Sequence, residues 1–434
     1  MSYLVINGGK KLSGKIVNQS AKNSAVAILC ASAMIKGRVT LRDVPEIEEV
    51  NRVVELLTSI GVKIRKIENR TLEIDSSASL TMKAIDRHAS EVTRSSIFLW
   101  GALAARVKNY KLYKSGGCRL GSRTVRPHWY ALEKFGVKVE SKEGYYQVKN
   151  KPLRAAYVVM YESGDTTTEN AIMAAVLAPG KTTIKMASAN YMVQDLCYFL
   201  NKAGAKIRGI GSTTLAITGV KKLRSVRSYP IMPDPIAAMT FIAAGITTRS
   251  HITIKNCPLE FLELELEKLK VMGQKMALQN QRKSKNGKFV IADIEITPSD
   301  LKALDDKIYG RPFPGLNIDN LPLFVPILTQ AKGKTLVHDW AYEHRAVYYE
   351  DLNKLGAKVT LLDEHRAWVE GPTKFCAAEM SAPDALRPAV NVLVCMLAAP
   401  GKSILRNIYA IDRGYENIYE VLGKAGADIE VVKE

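Results

Sequence analysis

Asn201-Lys202-Ala203-Gly204-Ala205-Lys206-Ile207 returns later in the chain as Asn353-Lys354-Leu355-Gly356-Ala357-Lys358-Val359. Both stretches read as the end of a helix, a glycine, then an extended segment. The same form occurs at Leu57-Thr58-Ser59-Ile60-Gly61-Val62-Lys63-Ile64, Glu133-Lys134-Phe135-Gly136-Val137-Lys138-Val139, Leu269-Lys270-Val271-Met272-Gly273-Gln274-Lys275-Met276 and Gly423-Lys424-Ala425-Gly426-Ala427-Asp428-Ile429. The glycines are 61, 136, 204, 273, 356 and 426, spaced by 75, 68, 69, 83 and 70 residues. Each glycine fits a helix C-terminal cap, where a left-handed residue ends the helix. A period this long describes a compact subdomain, not a thin solenoid repeat.

Working outward, each glycine is preceded by an apolar, alanine-rich helix and a short strand. Ser24-Ala25-Val26-Ala27-Ile28-Leu29-Cys30-Ala31 leads to Gly37-Arg38-Val39-Thr40-Leu41, Ala171–Leu177 to Gly180–Ile184, and Ala389–Val394 to Gly401–Leu405. Helices apolar on most faces belong between other elements. The pattern predicts an α/β (α+β) chain of six βαββαβ-like repeats. Its ends are related too: Leu4-Val5-Ile6-Asn7-Gly8-Gly9-Lys10-Lys11-Leu12 is similar to Leu215-Ala216-Ile217-Thr218-Gly219-Val220-Lys221-Lys222-Leu223, which closes the third repeat. The N-terminal strand is therefore expected to close the sixth. This predicts a three-repeat domain over residues 22–232 and a second over 1–21 plus 233–434. Two strand crossovers join them, with a ligand cleft between.

Composition narrows the function classes. Hydrophobic residues make up 47% and charged residues 24%, an ordinary globular mix. No run approaches a membrane span, and the N-terminus lacks the apolar core of a secretory signal, so a cytoplasmic protein is expected. Six cysteines lie far apart without a CxxC pair, most in apolar stretches, and read as buried thiols; six histidines form no HxxxH or HExxH pair, so no metal is expected. The net charge of +19 is spread along the chain without a basic-aromatic stripe, which argues against nucleic acid and favours an anionic small substrate. The oligomeric state is not legible.

Several residues invite chemistry. Lys114-Ser115-Gly116-Gly117-Cys118-Arg119-Leu120-Gly121-Ser122-Arg123 is a glycine-rich loop with a cysteine among cations, where a thiolate is stabilised; read alone such a stretch is more often an ordinary turn. Lys22-Asn23 precedes the first buried helix and suits an anion at a helix N-terminus, or is a surface lysine beside an asparagine cap. Arg94 and Arg387 open the second and sixth buried helices; Arg345 and Arg413 fall in strand-to-helix loops. Singly these are surface cations, but their repeated placement predicts a cluster of guanidinium forks for phosphate and carboxylate. Asp319, before Leu321-Pro322-Leu323-Phe324, reads either as a helix N-cap or as a carboxylate that orients or deprotonates a hydroxyl.

Lys22-Asn23, Gly116-Gly117-Cys118 with Arg123, Pro314-Gly315-Leu316-Asn317-Ile318-Asp319 and Ile411-Asp412-Arg413-Gly414-Tyr415-Glu416 together resemble the enolpyruvyl transferases over essentially the whole length. The resemblance implies two inside-out α/β barrel domains, each of three repeats. It implies transfer of the enolpyruvyl group of phosphoenolpyruvate to a uridine nucleotide, most simply the 3-hydroxyl of UDP-N-acetylglucosamine in peptidoglycan precursor synthesis. A paralogue using another acceptor such as UMP, and a non-catalytic ligand-binding relative, are the alternatives. By the same resemblance Cys118, Asp319, Lys22 and Arg413 are the catalytic residues. Lys22, Arg94, Arg123, Arg345, Arg387 and Arg413 hold phosphoenolpyruvate. Asn23, Arg123, Thr124, Val125, Arg126, Thr166, Asp319 and Ala341 meet the acceptor. No metal or redox cofactor is called for. The chain departs from the family pattern mainly on the acceptor side. Arg126 replaces an acid, Glu46 and Glu48 a basic pair, and Pro235 an arginine; Tyr161-Glu162-Ser163-Gly164-Asp165-Thr166-Thr167-Thr168 replaces a lysine-containing loop, Asn320-Leu321 follows Asp319, and an aspartate is displaced to Asp384.

Overall fold

The computed structural model describes residues 2–115 and 124–433. The chain divides into two compact units. One, the inserted unit, comprises Ser20–Gly117 and Thr124–Met232; the other, the split unit, holds Met1–Gln19 with Pro233–Glu434. Among the described residues each unit carries three mixed or antiparallel sheets, four-stranded except for one of three strands in the inserted unit.

All six repeat glycines adopt positive φ, from 86° to 101°. A side chain disfavours that region, so each glycine stops its helix and turns the chain into the next strand. The strand order differs from the expected βαββαβ. The third repeat runs Tyr157–Val159, helix Asp165–Ala175, Lys181–Lys185, helix Tyr191–Lys202, Lys206–Arg208, Thr214–Thr218, which is βαβαββ. The first helix connects two parallel neighbours; after the glycine the last two strands form an antiparallel hairpin. A parallel pair requires a crossover and an antiparallel pair only a turn, so both helices come before the hairpin.

The related ends pair as their sequences predict. Ser2–Gly8 lies between Gly401–Arg406 and Ile429–Lys433, in the order Glu379–Ser381, Gly401–Arg406, Ser2–Gly8, Ile429–Lys433. The third repeat has the same order, Tyr157–Val159, Lys181–Lys185, Thr214–Thr218, Lys206–Arg208. Even the register agrees: Asn7 faces Lys402 as Thr218 faces Lys181.

The predicted apolar helices are buried nearly all round. We label them α1 (Lys22–Ser32), α2 (Leu99–Ala102, entered through a 3-10 turn at Arg94–Phe98), α3 (Asp165–Ala175), α4 (Pro235–Thr247), α5 (Leu321–Leu328) and α6 (Leu386–Ala398). Every residue of α4 and α5 is buried. In the split unit α4, α5 and α6 pack on one another, and in the inserted unit α1 and α3 pack on α2. Each fully buried Leu, Ile or Phe contributes about 1.5–3 kcal/mol, so these helices are the principal cores of their units. The helices that end at the repeat glycines are one-sided, as in Glu48–Ser59, where Val50, Val53, Leu56 and Leu57 are buried.

A close approach accompanies the repeats. A Cβ on Gly219 would sit 1.7 Å from the Ala178 carbonyl oxygen, one on Gly8 2.1 Å from that of Met396, and one on Gly371 2.5 Å from that of Ala331. In each case the end of a strand abuts carbonyls in the last turn of a buried helix or just after it, so only glycine fits. Cys30, Cys197, Cys257 and Cys395 are buried, whereas Cys376 is exposed and departs from the buried-thiol expectation. No described helix is long and apolar enough to cross a membrane.

Candidate active site

In the split unit the site grows from the loop before α5. Asn320, not Asp319, is the N-cap of α5, and no side chain caps that helix. The buried Glu265 carboxyl shapes the loop, accepting from the Asn317 amide at 3.1 Å and from Asn320 Nδ2 at 2.8 Å. Burial raises the pKa of Glu265 above the usual carboxylate value. The Asp319 amide donates to Asn317 Oδ1 at 2.9 Å. Asp319 then presents one carboxylate oxygen 3.4 Å from Arg345 Nη1 and the other 3.8 Å from Arg387 Nη2. Of the two readings of Asp319, the geometry favours the carboxylate among arginines.

Arg345 is 1% exposed. Its Nε and Nη2 form a fork on Asp339, at 2.6 and 2.7 Å, and Nη2 also donates to the Ile318 carbonyl at 2.7 Å. The guanidinium stacks 4.2 Å from the centre of the Tyr342 ring, and Tyr349 donates its hydroxyl to Asp339. Burial opposes the charge, but the Asp339 carboxylate outweighs it and holds Arg345 above its ordinary value. Arg345 is thus a fixed cation whose fork is spent on Asp339, with Nη1 turned to Asp319. Ala341 lies half-buried in the turn between Asp339 and Arg345.

Arg387, the second residue of α6, is 7% exposed and donates to the Tyr415 hydroxyl at 2.6 Å. That hydroxyl shares a 2.7 Å hydrogen bond with Thr240 of α4. Tyr415 therefore joins α4, α6 and the Ile411–Glu416 motif. Arg413 is half-buried just after the helical turn Tyr409–Asp412, its amide bonded to the Tyr409 carbonyl at 3.1 Å.

The inserted unit organises its groups differently. Lys22 is the first residue of α1, whose N-terminus no side chain caps, and Asn23 donates to the Tyr191 hydroxyl at 3.0 Å. Such a helix start, carrying a lysine, suits an anion. Arg94 begins the 3-10 turn into α2. Its Thr93 cap and Ser95 both donate to the buried Glu49, Ser95 at 2.9 Å. Arg94 reaches the Thr124 carbonyl at 3.4 Å. Thr124 and Arg126 are exposed; Val125 is half-buried as N-cap of the helix Arg126–Phe135.

His128, on that helix, is 3% exposed and packs edge-on to Trp100. The Asn170 amide is 3.1 Å from its Nδ1, which assigns the ring proton to Nε2, 3.4 Å from the Thr166 hydroxyl. Burial and the Arg94 charge push the imidazole pKa down to about 3. Thr166, an exposed residue, is thereby tied to a neutral histidine.

Cys118 and Arg123 lie outside the described residues. The other sequence-predicted groups fall into two sets: Asp319, Ala341, Arg345, Arg387 and Arg413 in the split unit; Lys22, Asn23, Arg94, Thr124, Val125, Arg126 and Thr166 in the inserted one. Most departures from the family pattern have local partners. Glu46 pairs with Lys66, and Glu48 with Arg52 at 3.1 Å. Asp234 caps α4, whose first residue is Pro235. Asp384 accepts from Asn407 at 2.9 Å. Sequence reasoning missed Asp339, a plain loop acid in His338-Asp339-Trp340; the one available signal was its place six residues before Arg345.

Residues 6–422 match the family EPSP synthase (3-phosphoshikimate 1-carboxyvinyltransferase). The chain is 33% identical over 445 aligned residues to UDP-N-acetylglucosamine 1-carboxyvinyltransferase of Bacteroides thetaiotaomicron, with 99% of each protein covered. It is 34% identical over 429 residues to UDP-N-acetylglucosamine 1-carboxyvinyltransferase 2 of Caldanaerobacter subterraneus, again with 99% of each covered. Its fold is similar to that of the enolpyruvyl transferase NikO from Streptomyces tendae, with a TM-score of 0.86 and 23% identity over 100% of this chain and 99% of that one. The EPSP synthase of Acinetobacter baumannii superposes with a TM-score of 0.77 at 19% identity, both chains fully covered. The chain belongs to the EPSP synthase family and is an enolpyruvyl (1-carboxyvinyl) transferase.

Proposed function

We propose that this transferase carries the enolpyruvyl group of phosphoenolpyruvate to a uridine nucleotide, most simply the 3-hydroxyl of UDP-N-acetylglucosamine. The observation that carries this reading is the Asp319 carboxylate held between Arg345 and Arg387, at 3.4 and 3.8 Å. Flanking cations keep a carboxylate ionised, so it is able to accept the proton of an attacking hydroxyl. The hydroxyl oxygen bonds to C2 of phosphoenolpyruvate as C3 gains a proton, giving a tetrahedral ketal. Phosphate then leaves from C2, and loss of a C3 proton restores the double bond as an enol ether. Arg387, Arg413, Lys22, Arg94 and Arg123 hold phosphate and carboxylate; fixed cations at these two anions stabilise charge as the phosphate departs. Arg345 acts chiefly by setting the position of Asp319. Cys118 serves the proton transfer to C3 and closure over the donor.

Asn23, Thr124, Val125, Arg126, Thr166 and Ala341 face the acceptor. The two relatives of Bacteroides and Caldanaerobacter are named for UDP-N-acetylglucosamine, which supports this acceptor. Arg126 in place of an acid favours the second reading, a different nucleotide such as UMP. We further propose that each unit is an inside-out barrel, its sheets wrapped around the buried helices, a reading supported by the all-round burial of α4 and α5.

Phosphate release should be measured with phosphoenolpyruvate and, separately, UDP-N-acetylglucosamine, UDP-glucose, UMP and shikimate 3-phosphate. Release with UDP-N-acetylglucosamine is expected. Release with UMP alone overturns that acceptor, and release with none supports the non-catalytic relative.

A further inference from the structure

A residue outside every motif considered above is bonded directly to the Arg413 loop. Gln19 is 7% exposed and lies just before the chain leaves the split unit. Its Nε2 donates to the Gly414 carbonyl at 3.1 Å, and its Oε1 accepts from the Glu416 amide at 2.9 Å. One side chain thus closes a two-point clamp on the backbone either side of Tyr415, starting at the residue after Arg413. Gln19 is itself anchored. Its carbonyl accepts from the Asp234 amide at 2.9 Å, and Asn18 Nδ2 donates to the Asp234 carbonyl at 2.9 Å. Asp234 in turn caps α4, bonding the Ile236 amide at 2.8 Å. The clamp therefore rests on a helix start and not on a free loop.

We infer that Gln19 is a positioning residue for Arg413: its amide fixes the Gly414–Glu416 backbone and so sets where the arginine meets the donor's anions. The inference rests on the reading of Arg413 as a phosphoenolpyruvate ligand. An amide is suited to this task, because it offers one donor and one acceptor in a plane and satisfies a carbonyl and an N–H together. The bonds on Tyr415, from Thr240 and Arg387, hold the same segment from its side-chain face. Gln19 supplies the backbone face.

The test is a double-mutant cycle on kcat/KM for phosphoenolpyruvate, with acceptor KM and thermal midpoint measured alongside. Gln19→Leu keeps the volume and removes both hydrogen bonds. It is expected to lower kcat/KM for phosphoenolpyruvate about tenfold, with acceptor KM changed less than about twofold. Arg413→Ala is expected to lower it further, and adding Gln19→Leu to Arg413→Ala should then cost nothing more. A multiplicative loss in the double variant, or wild-type kinetics for Gln19→Leu, overturns the inference while leaving Arg413 in its role. Wild-type kinetics for Arg413→Ala overturn the reading of Arg413 and the inference with it. Should Gln19→Leu fail to fold, Gln19→Glu retains the acceptor for Glu416 and loses only the donor to Gly414, and the same cycle is run with it.

Discussion

The two units hold their cations in opposite ways. In the split unit Arg345 is buried and forked onto Asp339, and Asp319 lies within 3.8 Å of both Arg345 and Arg387. In the inserted unit Lys22 and Arg94 stand at helix starts, and Arg94 reaches the Thr124 backbone at 3.4 Å. Charge partnered by buried carboxylates is placed by the fold whether or not substrate is present. At a helix start the cationic side chain and the free backbone amides present positive charge together, which suits an incoming anion. The first arrangement suits a group that must stay where it is, and the second a group that captures. The contrast arises in spite of equivalent repeat positions, since Arg94 and Arg387 both open buried helices, yet Arg387 lies near Asp319 and Arg94 near the Thr124 carbonyl.

The largest expected effect comes from breaking the buried fork. Asp339→Ala strands the Arg345 charge in a site 1% exposed and removes the acceptor of Tyr349. Removing one partner of a buried pair costs about 3–5 kcal/mol. Urea unfolding should show that loss, and enolpyruvyl transfer should fall with it as Asp319 loses its fixed neighbour. An effect under about 1 kcal/mol, the range of a surface pair, would place Arg345 with the exposed cations and erase the contrast.

Next in size is the comparison of the paired arginines. Arg387→Lys loses the planar fork and the 2.6 Å bond to Tyr415. A fall of about 10²-fold in kcat/KM for phosphoenolpyruvate is expected, the scale of one lost charge-stabilising donor. Arg94→Lys keeps a positive charge at the helix start and gives up the 3.4 Å guanidinium contact to the Thr124 carbonyl. About tenfold is expected there, chiefly in KM, since its role is capture. Equal losses at the two positions would show that helix-start and carboxylate-held cations work alike.

Much of this fold was legible because its signals are local. A glycine that must take positive φ at a helix end is a property of a few residues, so six copies revealed six repeats. The N-terminal strand announced its place because Leu4–Leu12 repeats the closing segment of the third repeat. Strand order was misread because short strands around a glycine look alike whichever neighbour they pair with, and pairing is decided across the sheet. Arg345 and Asp319 were singled out by their places in the repeats and by the resemblance, yet Asp339 was not, since its contact exists only once the strand Gly333–His338 and the turn after it bring the acid onto the guanidinium. Gln19 was beyond reach for the same reason in stronger form: its partner Gly414 is 395 residues away.

A pH-dependent effect sharpens the inserted unit's side of the comparison, through His128. Its folded pKa is about 3, lowered by burial and by Arg94, against an ordinary value near 6.5. The native state therefore takes up the proton less readily than the unfolded chain. The stability this contributes is present above pH 6.5 and is lost as pH falls toward 3. For a shift of this size the loss between pH 8 and pH 5 is about 2 kcal/mol at most. His128→Gln retains polar contact with Asn170 and Thr166 without a titrating ring, so its urea midpoint should vary less over that range than the wild type's. Arg94→Gln removes part of the cause, and the wild-type histidine in that background should titrate at higher pH, which the imidazole proton shifts report by NMR. Stability curves of wild type and His128→Gln that run parallel from pH 8 to pH 5 would show that the ring is not held neutral by its site. The Thr166 contact would then belong to a histidine able to charge near neutrality, and the inserted unit would hold one more switchable cation than its geometry indicates.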